Sequence, residues 1–449
     1  MKVDEIPRAP GGWPLVGHGG QLLSDPLGFL RSLPAHGDLV RIRLGAVDTV
    51  VVCDVELTRQ LLLDDRTFDK GGPAYDGARE LLGGGLLTCP RDAHRRRRRL
   101  AQPAFQPARL DGYTSAMVGQ NRLAVDGWRD GGILDVMPQM LSLMVRTLAE
   151  TMFSSALSPG AVDRAVEDLT CVVRESYTRA ILPPALGRLP TAGKRRYDAA
   201  QARLRCVLDE VVAGYRVRGE DRGDLLSALM GARSPEDAVC GGLSDAELSD
   251  QMITFFVAGA ETNANLLSWV LHLLSRHPEI EARLHEEVDG CEPAGPDGRV
   301  CPDRAVFTGR VVREALRLYP PVWLTTRRVT TDTVLGGHRF AAGAVVAYSP
   351  YLIHHRADIY PAPERFDPDR WDPSRPAPPR HAFLPFGAGA RKCIGDRFAL
   401  TEAVLALVAI TRRWRLTSVS DRPVRVRAAA TISPHSLRLR AVDRTVPVR

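Results

Sequence analysis

Hydrophobic residues recur at helical spacing from Ala93 to about Gly290, a pattern that predicts a chain built mainly of helices. Ahead of that stretch, Leu39-Val-Arg-Ile-Arg-Leu44 and Thr49-Val-Val-Val-Cys53 are short β-type runs about Gly45-Ala-Val-Asp48, and they read as a hairpin. Val55 to Leu63 is helix-like, and glycine-dense Lys70 to Asp92 is expected to be a mobile loop. Pro/Gly clusters near 183–193 and 231–242 interrupt the helical region. The best-marked helix opens on the capping-box pattern Ser244-Asp-Ala-Glu247 and runs to Arg276, where His277-Pro278 stops it. A helix of that length spans roughly 50 Å, enough to cross a domain. Its middle, Ile253 to Ala258, is apolar on every side and should be buried.

After a loop at 290–304 comes a helix, Val306 to Leu318, ended by Tyr319-Pro320-Pro321. Strand signals follow around Thr325–Thr333 and Val345–Tyr348, then a Pro-rich meander from Tyr360 to Pro379, then a helix-like run from Asp396 to Arg412. Helices with minor sheets near both ends make an α+β pattern that is mostly α. No linker, repeat or composition break divides the 449 residues, so one domain is expected. It has a β-rich part with an access loop (1–92), a helical part (93–320) and a C-terminal part with the meander (321–449).

Composition narrows the function classes. The formal net charge is +7, which could suggest nucleic acid, yet only four of the 60 basic residues are lysine, at 2, 70, 194 and 392. The densest run, Arg95 to Arg99, lies in a helical pattern and reads as a solvated basic face. No aromatic-interleaved basic strand or helix-turn-helix signal accompanies it, so nucleic acid is not an expected partner. The eight cysteines lie far apart without a CxxC pair, which indicates neither a disulfide framework nor zinc and fits a reducing compartment. The Pro/Gly-rich N-terminus has no apolar run long enough for a signal peptide or membrane span. A cytoplasmic, monomeric protein is expected.

Two constellations suggest chemistry. In Phe386-Gly-Ala-Gly389-Ala-Arg391-Lys-Cys393-Ile-Gly395, a lone cysteine sits in a tight, glycine-punctuated basic turn directly before a helix. A thiolate there would gain from the helix N-terminus and from Arg391 and Lys392. Glycines at 387, 389 and 395 would let a flat partner press on the backbone, and Phe386 would screen the sulfur from water. A buried free cysteine is the plainer alternative for a single Cys. The second constellation is Ala258-Gly259-Ala260-Glu261-Thr262, an acid beside a hydroxyl in an apolar helix. Burying a carboxylate unpaired is costly, and the structural alternative is a kink with Thr262 bonding back to a carbonyl. Glu314 and Arg317, at i and i+3, can form an ion pair. His354-His355 has no spaced partner and reads as a loop or strand-end pair, and His285-Glu-Glu-Val-Asp289 is not a zinc helix.

Phe386, Gly389, Arg391, Cys393 and Gly395 together resemble the haem-binding loop of the cytochrome P-450 family, and 258–262 resembles its oxygen-activating segment. The resemblance covers nearly the whole chain in the family's order. It implies the family's helix-rich triangular prism with small antiparallel sheets, and haem b with Cys393 as axial thiolate. Thr262 would then deliver protons to oxygen with Glu261 tying the site to water, and Ala258 would leave room beside the haem. The haem propionates would be held by His94 and Arg98, four apart on one helix face, with Arg327, for which Arg328 competes. Gly387 and Arg391 flank the thiolate. Glu314 and Arg317 match the family's structural pair, completed by Arg370 of Phe366-Asp-Pro-Asp-Arg370, with Arg365 as rival.

The activity implied is insertion of one atom of O2 into a C–H bond of a hydrophobic small molecule. Electrons would come from a separate iron–sulfur ferredoxin and an NADPH-linked reductase docked on a basic cysteine-side surface. Candidate pocket walls are the 71–92 loop, the 175–190 region, Phe255-Phe256 and Val322-Trp-Leu324. Trp13-Pro-Leu-Val-Gly-His18 and Ala101-Gln-Pro-Ala-Phe105 look similar to actinobacterial enzymes that oxidise sesquiterpene hydrocarbons, which favours a terpenoid over a fatty acid, steroid or macrolide. A donor-independent haem-thiolate peroxygenase or isomerase, and a non-catalytic haem sensor, are the alternatives.

Overall fold

The long helix forms as its ends dictate. Ser244 Oγ accepts the Glu247 N–H at 3.2 Å while the Glu247 carboxylate accepts the Ser244 N–H at 3.0 Å, and the helix Asp245–Arg276 ends at His277 before Pro278. It runs through the largest hydrophobic cluster, with Ile253, Phe256, Ala260 and Leu267 all buried. Helix Val136–Phe153 packs along it. A Cβ on Gly259 would lie 3.1 Å from Leu148 Cδ1, so this glycine serves helix–helix approach.

The computed structural model describes residues 3–14, 16–44, 47–154, 156–181, 191–219, 221–233, 241–291 and 304–445. The 290–304 loop, the hairpin turn at 45–46 and most of the breaks expected at 183–193 and 231–242 lie outside them, as does most of the 175–190 wall segment.

The hairpin pairs Leu39–Leu44 with Val47–Val52 antiparallel. Its second strand meets Val345–Tyr348 in a parallel pairing, Thr325–Val329 follows antiparallel, and Phe68–Lys70 closes this five-stranded sheet. Chain ends distant in sequence are thus joined beside the cysteine loop. The smaller sheets are antiparallel.

Two expectations are corrected here. The glycine-dense segment contains a helix, Pro73–Leu82, because its glycines flank a run of helix-forming residues and only Gly77 lies inside. The segment after it is pinned to the long helix: Gly84 N donates to Asp250 Oδ2 at 2.7 Å and Leu86 N to Gln251 Oε1 at 3.1 Å. The arginine run is not a solvated face either. Arg96 and Arg97 reach Glu247 of the capping box at 2.9 and 3.4 Å, and Arg98 donates to the Lys392 carbonyl. Helix Arg91–Ala101 therefore clamps the start of the long helix to the cysteine loop.

On helix Val306–Leu318, Glu314 and Arg317 are both fully buried. Arg317 grips Glu314 bidentately at 2.8 and 3.0 Å and donates to the carbonyls of His354, Pro363 and Arg365 at 3.0, 2.7 and 3.1 Å. Glu314 also accepts from Asp367 N, Arg370 Nε and Trp371 Nε1. Arg370 is the third member, whereas Arg365 contributes only its carbonyl.

His354, read from sequence as a loop or strand-end histidine, is buried at the end of helix Pro350–His354. Its Nε2 accepts the Leu384 N–H at 2.8 Å, so the other nitrogen donates to Arg317 O at 3.1 Å. Burial holds its pKa well below the usual imidazole value, so it is neutral. Replacing Arg317 by methionine strands Glu314 and three carbonyls, and is expected to cost about 3–5 kcal/mol, read as a lower denaturant midpoint. Arg317→Lys recovers little, since one ammonium cannot match the fork. An unchanged midpoint in Arg317→Met refutes this account.

Candidate active site

The turn around Cys393 is built by the backbone. Cys393 N donates to Phe386 O at 2.9 Å, and Gly387 and Gly389 have φ of 67° and 70°. A Cβ on Gly389 would sit 2.1 Å from the Leu62 carbonyl, so protein packing, not a flat partner, requires that glycine. Gly395 is the N-cap of helix Asp396–Arg413, and half-buried Phe386 lines the turn. Cys393 presents open surface while lying deep among protein atoms, so its sulfur faces an interior space. Burial pushes the thiol up. The Gly395 N–H pulls it down, Asp396 raises it, and Lys70 and Arg98 lower it.

The cations that act on the sulfur differ from those expected. Lys392 is paired to Asp396, and Arg391 to Asp69 and the Cys89 carbonyl. Lys70 and Arg98 take their place. Lys70 stands out only in retrospect, as one of four lysines in an arginine-rich chain.

Lys70 belongs to a wider convergence. His94 is buried with Nδ1 unpartnered, and burial followed by Arg391, Lys70 and Arg98 takes its pKa down to about 3. Arg327 is buried and lies over the Tyr348 ring at 5.3 Å, whereas Arg328 is exposed and paired to Asp76. Of the two, Arg327 is the one turned inward. Tyr75, carried by the unexpected Pro73–Leu82 helix, shares a 2.8 Å hydrogen bond with Thr325. Its hydroxyl is raised by burial but brought below its ordinary pKa by Lys70 and Arg327. Lys70 is lowered mainly by burial, with Arg327 and Arg391 adding to that effect. The Arg391 Nε has no partner.

Opposite the cysteine helix stands the acid–alcohol segment. Thr262 Oγ1 donates to Ala258 O at 2.7 Å, the back-bond that was the structural alternative. Glu261 is driven above its ordinary pKa by burial, and it accepts a hydrogen bond from Thr431. Asn263, next to Thr262, crosses to the cysteine helix, donating to Glu402 Oε2 at 2.6 Å and to Ala399 O at 3.3 Å. The helix that carries Thr262 is thereby joined to the helix that follows the Cys393 turn.

The proposed wall residue Phe256 is buried in the core against Phe153, and Phe255 packs edge-on against Phe105, which approaches Gly395. Trp323 is buried and donates to Ala429 O at 2.8 Å. Phe256 and Trp323 are therefore core residues, whereas Phe255 is half-buried.

Three polar residues here escaped sequence reasoning. Glu402 carried a signal, an acid inside the apolar run Phe398 to Ile410; Asn265 and Thr431 carried none.

One sulfur facing an interior space, beside cations gathered around an unpartnered His94 nitrogen, fits an iron macrocycle bearing two carboxylates and defines a haem-thiolate protein. The cytochrome P450 family profile matches residues 7–436. The chain is 44% identical to pentalenene oxygenase of Streptomyces avermitilis over 97% of both chains. It is also 44% identical to cyclooctat-9-en-7-ol 5-monooxygenase of Streptomyces melanosporofaciens, over 92% of this chain and 89% of that one. The solved cytochrome P450DA haem domain superposes with a TM-score of 0.86 at 30% identity, covering 98% of this chain and 97% of that one. The chain belongs to the cytochrome P450 family, and with that membership come haem as cofactor and an oxygenase as the class of enzyme. Among the described residues, no helix is long and apolar enough to cross a membrane.

Glu402 supplies a pH test of the two-helix junction. It is fully buried, its Oε1 has no partner, and burial pushes its pKa from 4.5 up to about 8 against the opposing Asn263 bond. The folded protein keeps this proton where the unfolded chain has lost it. Stability contributed here is therefore full below about pH 4.5 and is lost as pH rises towards 8, by as much as about 5 kcal/mol. The denaturation difference between wild type and Glu402→Gln should carry that slope. Equal differences at pH 5 and pH 8.5 would refute it.

Proposed function

We propose that this chain is a ferredoxin-dependent monooxygenase that inserts one oxygen atom of O2 into a C–H bond of a cyclic terpene. The observation carrying this reading is the Glu261–Thr262 pair on a helix tied, through Asn263 and Glu402, to the helix Asp396–Arg413 that follows the Cys393 turn. The terpene assignment comes from relatives named for oxidising pentalenene and for a cyclooctatin-type substrate. When bound, haem held through Cys393 supplies the redox chemistry that activates dioxygen.

The chain's own residues do the rest. His94, Arg98, Arg327 and Arg391, joined by Lys70 and Tyr75, hold the two propionates and fix the orientation of the cofactor. Gly395 N–H and the start of its helix stabilise the thiolate. Thr262 gives up its bond to the Ala258 carbonyl to present a proton to the oxygen being reduced. Glu261, whose carboxyl is pushed above its ordinary pKa by burial, replenishes that proton. Ala258 and Gly387 leave space beside the cofactor, and Phe386 keeps water from the sulfur. The protein acts as a monomer, and apolar walls select the substrate by shape.

The reduced, carbonmonoxy-bound protein is expected to show the red-shifted Soret band of thiolate ligation, and Cys393→Ser to abolish it. Pentalenene and related cyclic terpenes should shift the ferric spectrum. Shifts with fatty acids or macrolides but none with terpenes would overturn the substrate class, and turnover with peroxide alone, unimproved by ferredoxin and NADPH, would overturn the donor requirement.

The donor would dock where Lys392 and Arg397 are exposed beside the cysteine turn. Raising ionic strength is expected to slow reduction by an acidic ferredoxin; a salt-independent rate would count against that surface.

A further inference from the structure

Glu261 and Asn265 stand four residues apart, on one face of the long helix. Thr431, from the far end of the chain, fits between them. Asn265 Nδ2 donates to Thr431 Oγ1 at 3.0 Å, and Thr431 donates to Glu261 Oε1. When Glu261 is ionised the order follows from chemistry: the carboxylate can only accept, the Asn265 N–H gives to the hydroxyl oxygen, and the single hydroxyl proton is aimed at Glu261.

Thr431 is itself held from several sides. It lies in the turn between Arg425–Ala428 and Ile432–His435. Trp323 Nε1 donates to Ala429 O at 2.8 Å, Ile432 N to Pro321 O at 3.0 Å, and Trp269 Nε1 to Ile432 O at 3.3 Å. Trp269 is on the helix that carries Glu261, so the turn is registered against the same element. Packing alone would be met by valine, which has nearly the same shape and no hydroxyl to satisfy.

We infer that Thr431 is a positioning residue for the proton of Glu261. Its hydrogen bond occupies Oε1 and leaves Oε2 as the oxygen that carries the acid proton, with Asn265 holding the hydroxyl in that sense. This rests on the reading that Glu261 supplies protons to Thr262. Burial and the Thr431 hydroxyl are the two influences on the carboxyl, and among the described residues no ion pair reaches it. A bond from Thr431 favours the ionised form, so its loss must move the titration upward.

The test uses the haem-loaded protein. The carboxylic-acid C=O band that vanishes in Glu261→Gln is titrated by difference infrared spectroscopy. Thr431→Val is expected to raise its midpoint by about one to two pH units, the worth of one hydrogen bond to a charged oxygen, and Thr431→Ser to restore it. Asn265→Leu keeps Thr431 but frees its proton, and should move the midpoint the same way by less; it stands in where Thr431→Val fails to fold. A wild-type midpoint in these variants overturns the inference. The underlying reading is tested apart, by the fraction of NADPH electrons released as hydrogen peroxide with a surrogate ferredoxin and reductase. That fraction should rise in Glu261→Gln; if it does not, Glu261 is not the proton source, whatever Thr431 does to its titration.

Discussion

The Glu314–Arg317 pair holds the cysteine side of this protein together. Two opposite charges removed wholly from water cost several kcal/mol each, and the pair is tolerable only because every valence is met. Arg317 uses its fork on Glu314 and on three carbonyls of the meander; Glu314 takes three further donors. Each carbonyl so captured fixes a stretch of chain that has little regular structure of its own. His354 then passes the constraint on. Its Nδ1–H donates a hydrogen bond to the Arg317 carbonyl and its Nε2 accepts the N–H of Leu384, two residues before Phe386. The shape of the cysteine turn thus depends on an ion pair that never touches the cofactor.

The long helix answers a different demand. It must cross an apolar core while carrying an acid, a hydroxyl and two amides. The acid and the amides take partners on other elements, Asn263 on the cysteine helix, Asn265 and Glu261 on the Thr431 turn, Asp250 and Gln251 on the 84–86 segment, while the Thr262 hydroxyl bonds back within the helix. These bonds determine which face of the helix meets which neighbour, because hydrophobic packing alone is nearly indifferent to rotation.

Local signals explain what could be read from the sequence. The capping box, the His277-Pro278 stop, the β-branched hairpin and the spaced Phe/Gly/Arg/Cys turn are short-range patterns, and each stands where its residues predicted. The Pro73–Leu82 helix was hidden because its flanking glycines dominated the composition of the window. The fate of the arginines was hidden for another reason: charge count says nothing about who pairs with whom. Arg391 was expected to serve the sulfur, yet Asp69 claims it, and Arg328 loses to Arg327 only because strand alternation points one inward and the other to solvent. Thr431 and Asn265 meet across 166 residues of chain, a separation no periodicity can announce.

The choice of cations around the cofactor region follows from the same accounting of partners. Lys70, His94, Arg98, Arg327 and Arg391 converge, with Asp69 as the nearby acid, and Asp69 is already bonded to Arg391 and to the Arg91 N–H. Like charges gathered at low dielectric repel, and the lowered pKa values of Lys70, His94 and Arg98 express that repulsion together with burial. A dianionic ligand would attract each of these cations and so offset their mutual repulsion. Its binding would therefore stabilise the folded state that gathers these cations over an unfolded chain that does not.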